Sequence, residues 1–175
     1  MVKNRAYPRK ARKKDCKQLA KVMREADARE VKASHGHTPY EALLNSYKKS
    51  YTCSSWVFNG KVIAMCGVAR LDKHTGSPCL LGSDELVNTP SVTFALLRES
   101  TKWIERKQRN HPLLMNYVHA ENEASLKWLK YLGFRFIRKV ELSNEPFYEF
   151  VRIKEYVWTS NSVGNSVIGN ERIPI

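Results

Sequence analysis

Residues 113–134, LLMNYVHAENEASLKWLKYLGF, decide the fold that the sequence predicts. Leu113 to Val118 is a compact apolar run of strand formers. Asn122 then offers an N-cap oxygen to the first free amides of a helix. Gly133 supplies a left-handed residue that ends this helix, and Phe134 opens a new strand. Between them, one apolar stripe recurs at helical spacing: Ser125, Trp128, Leu129 and Leu132.

The clearest local signal upstream is a β-hairpin. Cys53 to Phe58 and Lys61 to Ala69 are β-prone runs, and Asn59-Gly60 joins them. Both turn residues tolerate positive φ, which a type I′ turn requires. The sequence therefore predicts two antiparallel strands.

Three segments before the hairpin predict one strand and two helices. Residues 5–11 form a candidate strand, which Pro8 confines to a sheet edge or a strand start. Asp15 predicts the N-cap of a helix that extends to about Lys32. Thr38-Pro39 predicts the start of a second helix, with the proline at its first position.

The segments after the hairpin alternate strands and helices. Cys79-Leu80-Leu81 predicts a short buried strand, and Thr89-Pro90 begins a helix that ends near Asn110-His111-Pro112. Beyond the organising unit, strands are predicted at about 134–142 and 146–153. This order predicts an α/β fold in which helices flank a mixed β-sheet.

The domain organisation follows from length and from a change in composition. The chain has 175 residues, which suits a single domain with its own core. We expect this domain, with a basic N-terminal region, to occupy residues 1–154. Residues 155–175 are rich in Asn, Ser and Gly. They predict either a frayed tail or an arm that orders against a partner, and their apolar side chains favour the arm.

Two resemblances rest on these segments. The pattern N-x-x-small-x-x-aromatic-x-x-x-x-G-F, from Asn122 to Phe134, resembles the last strand–helix–strand unit of the GNAT acetyltransferase superfamily. Five blocks in order resemble the internal virion protein A family of T7-like bacteriophages: ADAREVKASHGHTPYEALLNS, CLLGSDEL, RESTKWIE, NYVHAENEASLKWLKYLGF and PFYEF. The resemblance covers most of residues 5–153. It implies a GNAT-like fold in a protein of the phage particle or of its assembly.

The loop that binds coenzyme A in GNAT enzymes has a different sequence here. In that superfamily a glycine-rich loop presents backbone amides to the pyrophosphate, because glycine allows close approach. The corresponding sequence is GSDELVNTPSVTF, residues 82–94. It contains no glycine after Gly82, it adds Asp84 and Glu85, and Pro90 removes one amide donor. These residues predict weak binding of coenzyme A.

A second departure concerns the general acid. Many GNAT enzymes have a tyrosine four residues before the glycine of the G-F pair, where it protonates the leaving thiolate. That position is Leu129, while Tyr131 should face elsewhere on the helix. Asn122 matches the family asparagine that lies near the cofactor, so it is a cofactor-binding candidate if acetyl-CoA binds. Its role as a helix cap is sufficient by itself.

We therefore expect a non-catalytic bacteriophage virion or morphogenesis protein, associated with the internal core or its assembly, that uses no cofactor. Other phage structural proteins are the expected partners, with DNA and a second copy of the chain as further candidates. The alternative is an active acetyl-CoA-dependent N-acetyltransferase. A third hypothesis, a small DNA-binding module, is supported by charge alone.

Three residues are weak candidates for acid–base catalysis. Glu30, His119 and Glu121 are expected near a cleft where the central strands separate. His119 follows an apolar strand, so a hydrogen-bonded histidine at a strand end explains it equally well.

The charge of the chain is strongly positive. Thirty Lys and Arg against seventeen Asp and Glu give a net charge of +13, which favours polyanionic partners. Candidate contacts to nucleic acid or another polyanion lie near the start: Lys3, Arg5, Arg9, Lys10, Arg12, Lys13, Lys14 and Lys17. A solvated basic surface is the alternative interpretation.

Metal, disulfide and membrane signals are weak. Four cysteines lack CxxC spacing and predict free thiols. His35-Gly36-His37 has no second pair of ligands at a recognised spacing, so no metal site is expected. No apolar run approaches the roughly 20 residues that span a bilayer. We expect synthesis in the bacterial host cytoplasm, with the phage virion as a second location.

Overall fold

The computed structural model describes residues 5–154. Its strands are β1 Tyr7–Lys10, β2 Ser50–Phe58, β3 Lys61–Arg70, β4 Thr75–Gly82, β5 Leu113–His119, β6 Arg135–Leu142 and β7 Glu145–Ile153. Its helices are α1 Lys13–Ala20, α2 Glu25–His35, α3 Pro39–Lys49, α4 Glu85–Asn88, α5 Pro90–Lys107 and α6 Glu123–Tyr131. The predicted tail, residues 155–175, lies outside the described residues.

The seven strands form one mixed sheet in the order β1-β2-β3-β4-β5-β7-β6. Every neighbouring pair is antiparallel except β4 and β5. These two parallel strands are paired only at Thr75–Leu113 and Gly76–Leu114. Beyond these two pairs β4 and β5 separate, and the sheet has a gap at its centre.

Helices cover both faces of the sheet. On one face, Leu19 of α1 and Leu43 of α3 pack with Met65 of β3. On the other face, Leu96 of α5 packs with Ile63. The residues of α6 extend this second layer over β5 and β7. The α/β fold with helices on both faces is therefore confirmed.

Local sequence signals placed most turns and helix ends correctly. Asn59 and Gly60 have φ of 48° and 77°, as a type I′ turn requires. Thr38 caps α3 in a capping box with Glu41. Gly133 has φ of 79° and ends α6. The edge strand at residues 5–11 is confirmed as β1, which pairs only with β2.

The prediction of one helix from Asp15 to about Lys32 is wrong. The chain forms α1 and α2 with a break at residues 21–24. Within the break, Met23 bridges Ser83, and the Arg24 amide donates to the Gly82 carbonyl at 2.8 Å. These long-range bonds to the end of β4 replace helical ones, and nothing local in the sequence signals them.

Asp15 is also not an N-cap. Arg12 occupies that position, and the Arg12 amide donates to the Asp15 carboxylate at 2.9 Å. The buried carboxylate also accepts from Arg9 at 2.7 Å and from Ser55 at 2.7 Å. Burial alone disfavours its charge, but these hydrogen bonds outweigh burial and hold the pKa of Asp15 below its usual range.

We expect Asp15→Asn to lower the free energy of unfolding at pH 7 by about 2 kcal/mol, because Arg9 loses its charged partner. Since the folded pKa of Asp15 is depressed, its contribution is present above pH 4 and is lost as the pH falls. Urea unfolding at pH 7 and pH 3 should therefore show a smaller difference from wild type at pH 3. The exposed Asp84→Asn is the control. An equal loss at both pH values would contradict the prediction.

Candidate functional site

The gap between β4 and β5 is the candidate functional site. Its narrow end is bridged by Asn116 of β5, whose side-chain amide donates to the Pro78 carbonyl at 2.9 Å. Beyond this bridge the two strands are not hydrogen-bonded to each other. The edge of each strand is therefore exposed inside the protein, and its backbone groups need other partners.

The edge of β4 that faces the gap has only one free position. Backbone groups of alternate residues in a strand point to the same side, so Pro78, Leu80 and Gly82 face the gap. Gly82 is already engaged, because its amide donates to Asp27 at 2.8 Å and its carbonyl accepts from Arg24. The amide and carbonyl of Leu80 therefore face the open part of the gap.

A cavity of about 580 Å³ passes through this gap from one face of the sheet to the other. On the side of α2 and α3, Glu30, Asn45 and Lys49 line it. On the side of α5 and α6, the lining is largely apolar and includes Trp103, Trp128 and Leu129. Two molecules could thus meet inside the sheet after entering from opposite faces.

A buried polar network closes the wide end of the gap. The Arg24 guanidinium binds Asp27, with its Nε donating to Oδ2 at 3.1 Å. Asn122 donates to Asp27 at 3.3 Å and to Glu30 Oε2 at 3.1 Å. The oxygen of Asn122 accepts from the Ser125 amide at 3.4 Å, so Asn122 caps α6 as predicted. Asn122 therefore links α6 to two carboxylates of α2, Asp27 and Glu30.

Glu30 is the acid of this network that lines the cavity. Its Oε2 accepts from the His119 amide at 3.0 Å as well as from Asn122. Burial raises the pKa of Glu30 to about 7; the neighbouring charge of Asp27 adds to this rise, and the two hydrogen bonds oppose it. A carboxyl group with this pKa exchanges a proton readily at neutral pH.

The structure brings His119 and Glu121 to the same corner as Glu30, but neither lines the cavity. The Glu121 amide donates to His119 Nδ1 at 3.2 Å, so the ring proton lies on Nε2, which donates to Glu145 at 3.0 Å. Arg29 then bridges Glu121 and Glu145 at 2.6 and 2.9 Å. Both ring nitrogens of His119 are therefore occupied by structural hydrogen bonds.

The loop after β4 folds into α4, a one-turn helix that the sequence analysis missed. The amides of residues 86–89 donate to carbonyls within residues 83–85, and those of Val92 and Thr93 donate to Thr89. A Cβ on Gly82 would lie 2.0 Å from Leu86, so this turn packs directly on the end of β4. The loop thus has few free amides for a phosphate.

Leu129 occupies the position at which many GNAT enzymes have a tyrosine general acid. Leu129 packs in the core beside α5, and Tyr131 is 59% exposed on the opposite side of α6. Within the described residues, α6 therefore places no tyrosine hydroxyl in the gap.

The basic residues predicted to contact a polyanion are mostly on the surface. Arg9 is the exception, because its guanidinium is engaged by Asp15. Lys3 lies outside the described residues. The others are exposed: Arg5, Lys10, Arg12, Lys13, Lys14 and Lys17. Contact with DNA or another polyanion stays a prediction.

The cysteines are free in the described structure, and burial raises the pKa of Cys53 and of Cys66 to about 12. Within residues 5–154, no group of three or more His, Cys, Asp or Glu side chains could hold a metal ion. In the same range, no helix is long and apolar enough to cross a membrane.

Comparison with solved structures identifies the architecture. A GNAT-family acetyltransferase from Bacillus anthracis superposes with a TM-score of 0.58 at 12% identity, over 85% of this chain and 95% of that one. The ribosomal-protein-S18-alanine N-acetyltransferase from Escherichia coli superposes with a TM-score of 0.59 at 15% identity, over 88% and 97%. AAC(6')-Ib, in complex with ribostamycin and coenzyme A, gives 0.63 at 12% identity, over 91% and 99%. The fold is that of the GNAT acetyltransferases. No family model and no curated protein matches the chain.

These comparisons overturn two predictions. A non-catalytic virion or morphogenesis protein is not what they indicate, because the similar structures named above are acetyltransferases. The expectation of no cofactor is likewise wrong, since one of these structures contains coenzyme A. The resemblance to the internal virion protein A family stays a prediction that the comparisons do not test.

We expect Glu30 to titrate near pH 7 in carboxyl ¹³C NMR, with Glu30→Gln identifying its signal. Asn122→Ala removes a hydrogen bond that favours the charged form, so the pKa of Glu30 should rise further. Asn88→Ala, at an exposed position, is the control and should leave the titration unchanged.

The same shift predicts a stability effect. Because the folded pKa of Glu30 is raised, the folded state binds more protons between about pH 4.5 and 7. The free energy of unfolding should therefore fall as the pH rises through this range, and Glu30→Gln should flatten that fall. An unchanged slope in the variant would argue against a raised pKa.

Proposed function

We propose that the protein is an acetyl-CoA-dependent N-acetyltransferase that acts on an amine. The observation that carries the proposal is the cavity through the sheet, with Glu30, an acid of pKa about 7, in its wall. The GNAT fold supports this proposal, although a fold alone does not determine function.

The gap suits the extended arm of an acyl thioester. The arm of coenzyme A contains amide groups, and an extended amide chain can add to a free strand edge through main-chain hydrogen bonds. Leu80 offers one amide and one carbonyl at that edge, between the engaged positions Pro78 and Gly82. The apolar lining from Trp103 and Trp128 would exclude water from the thioester.

The loop after β4 offers few groups that could bind the phosphates of the cofactor. The amides of the loop after β4 are used inside α4 and at the start of α5. Asp84 and Glu85 add negative charge, which repels a phosphate. Affinity for the cofactor should therefore come chiefly from the arm.

When bound, acetyl-CoA supplies an acyl group that is activated as a thioester. Glu30 is placed to act as general base for the attacking amine, since its side chain lines the half of the cavity on the side of α2 and α3. Its Oε2 is held by Asn122 and the His119 amide, and Oε1 has no hydrogen bond among the described residues. Oε1 is therefore available to accept the proton of the amine.

Asn122 acts as a positioning residue in this scheme. It fixes the Glu30 carboxylate, and through Asp27 it also fixes the end of β4. A separate tyrosine acid is not required, because a thiol of pKa about 8.5 leaves as a comparatively stable anion.

Acetyl-CoA-dependent acetylation of primary amines tests the proposal, with isothermal titration calorimetry for cofactor binding. Glu30→Gln should lower kcat/KM by about 100-fold or more, because general-base catalysis typically contributes that much. The wild-type kcat/KM should rise with pH around an apparent pKa near 7, and the variant should lose this rise. Glu123→Gln, on the exposed surface of α6, is the matched control.

Because few groups can bind the phosphates, we expect them to contribute little to the affinity for the cofactor. Acetyl-pantetheine lacks the nucleotide and its phosphates, yet its Kd should lie within about tenfold of that for acetyl-CoA, a difference of about 1.4 kcal/mol. Competition calorimetry measures the two. A preference for acetyl-CoA of a thousandfold would show that the phosphates are bound elsewhere on the protein.

A further inference from the structure

The half of the cavity on the side of α2 and α3 ends at a group of basic side chains. His35 is the last residue of α2, His37 follows Gly36, and Lys49 is the last residue of α3. All three line the same cavity as Glu30. We call this group the basic cluster.

The two imidazoles of the basic cluster are held in a fixed arrangement. Their rings stack with centroids 5.4 Å apart and planes 8° from parallel. Gly36 makes this possible, because its φ of 67° turns the chain sharply at the end of α2. The Gly36 amide donates to Lys32 at 2.8 Å, which closes the turn.

Each ring has one nitrogen occupied and one free. The Ser34 hydroxyl donates to the Glu30 carbonyl at 2.7 Å, so its oxygen accepts from His35 Nδ1 at 2.7 Å. The Asn45 side chain donates to His37 Nε2 at 3.3 Å. His35 Nε2 and His37 Nδ1 are therefore left to meet a ligand.

The basic cluster is positively charged, and in the described structure its neighbouring carboxylate is already engaged. Burial, His37 and Lys49 together lower the pKa of His35, which shows that the two other basic groups lie close to its ring. The nearby acid is Glu41, but its carboxylate is used to cap α3, accepting from the Thr38 amide and hydroxyl at 2.9 Å each. An anion at the cluster would meet the Lys49 ammonium and the Nδ1–H of His37, and it would favour protonation of His35 at Nε2.

The end of this half of the cavity that lies away from the basic cluster carries an acidic residue. Glu30 is the one carboxylate that α2 and α3 contribute to the lining in the described structure. His35 lies five positions after Glu30 on α2, which corresponds to about 7.5 Å along the helix axis. This half of the cavity therefore has an acid at one end and a basic cluster about one and a half helical turns away.

We propose that the acceptor is an amine that carries an anionic group, a carboxylate or a phosphate, about 7–10 Å from its nitrogen. The amine lies against Glu30, and the anion is bound by Lys49, His35 and His37. The amine end of this assignment rests on the proposed N-acetyltransferase function, whereas the anion site does not.

Kinetics with a homologous series of acceptors tests the assignment. Amino acids with a terminal amine, from 4-aminobutanoate to 8-aminooctanoate, are compared with their primary amides and with aminoalkyl phosphates of equal length. We expect kcat/KM for the acids or the phosphates to exceed that for the amides by tenfold or more, since hydrogen bonds to a charged group are strong. The maximum should fall near six carbons.

Two lysine variants supply a matched pair. Lys49→Gln should reduce the preference for the anion to less than about threefold, because the ammonium group is lost from the cavity. Lys48→Gln makes the same charge change one residue earlier on α3; both side chains are exposed, but Lys48 does not line the cavity. It should keep the preference of the wild type. Equal rates for acids and amides in the wild type would overturn the anion site and leave the transferase proposal standing.

NMR titration decides the anion site without turnover. Addition of 6-aminohexanoate in the absence of acetyl-CoA should shift the ring signals of His35 and His37 and raise the pKa of His35, because an anion favours imidazolium. His74, exposed in the loop before β4, is the internal control. Unmoved ring signals at saturating concentration would refute the site. Shifted signals together with no acetyl-CoA binding would instead refute the proposed function alone.

Discussion

The structure depends on the pairing of β4 and β5, which lasts for only two residue pairs. A longer parallel ladder would satisfy the backbone of both strands and leave no space between them. Because the ladder stops, the strand ends need partners from elsewhere, and α2 supplies two carboxylates. Asp27 accepts the amide of Gly82 at the end of β4, and Glu30 accepts the amide of His119 at the end of β5.

This arrangement explains the chemistry of the site. A carboxylate that accepts a hydrogen bond from a buried amide is drawn away from water, and burial favours its neutral form. Asp27 has the Arg24 guanidinium as its ion-pair partner. Glu30 has no such cation in direct contact, and its pKa therefore rises to about 7. The residue that accepts the His119 amide at the end of β5 is therefore also the residue proposed as the general base in the cavity wall.

Sequence reasoning succeeded at three strong local signals, although it misplaced the N-cap of α1 at Asp15. Asn59-Gly60, the Thr38 capping box and the pair Asn122 and Gly133 each specify a backbone geometry within a few residues. It failed at residues 21–24, because the helix break is made by hydrogen bonds to Gly82 and Ser83, some sixty residues away. It also missed Asp27, whose role depends on that break. Glu30 was named as a candidate, but its hydrogen bonds to β5 and α6 appear only in three dimensions.

The functional error has a physical origin as well. The glycine-rich loop of GNAT enzymes binds the phosphates, which lie far from the reacting carbonyl, so a changed loop does not by itself argue against the proposed transfer. The reaction requires instead an open strand edge, a passage through the sheet and a base near the acceptor. In the proposed function, Leu80, the cavity and Glu30 would supply these three features in turn. Transfer depends on groups that contact the reacting atoms, and those groups are the better guide to activity than a motif at the distant end of the cofactor.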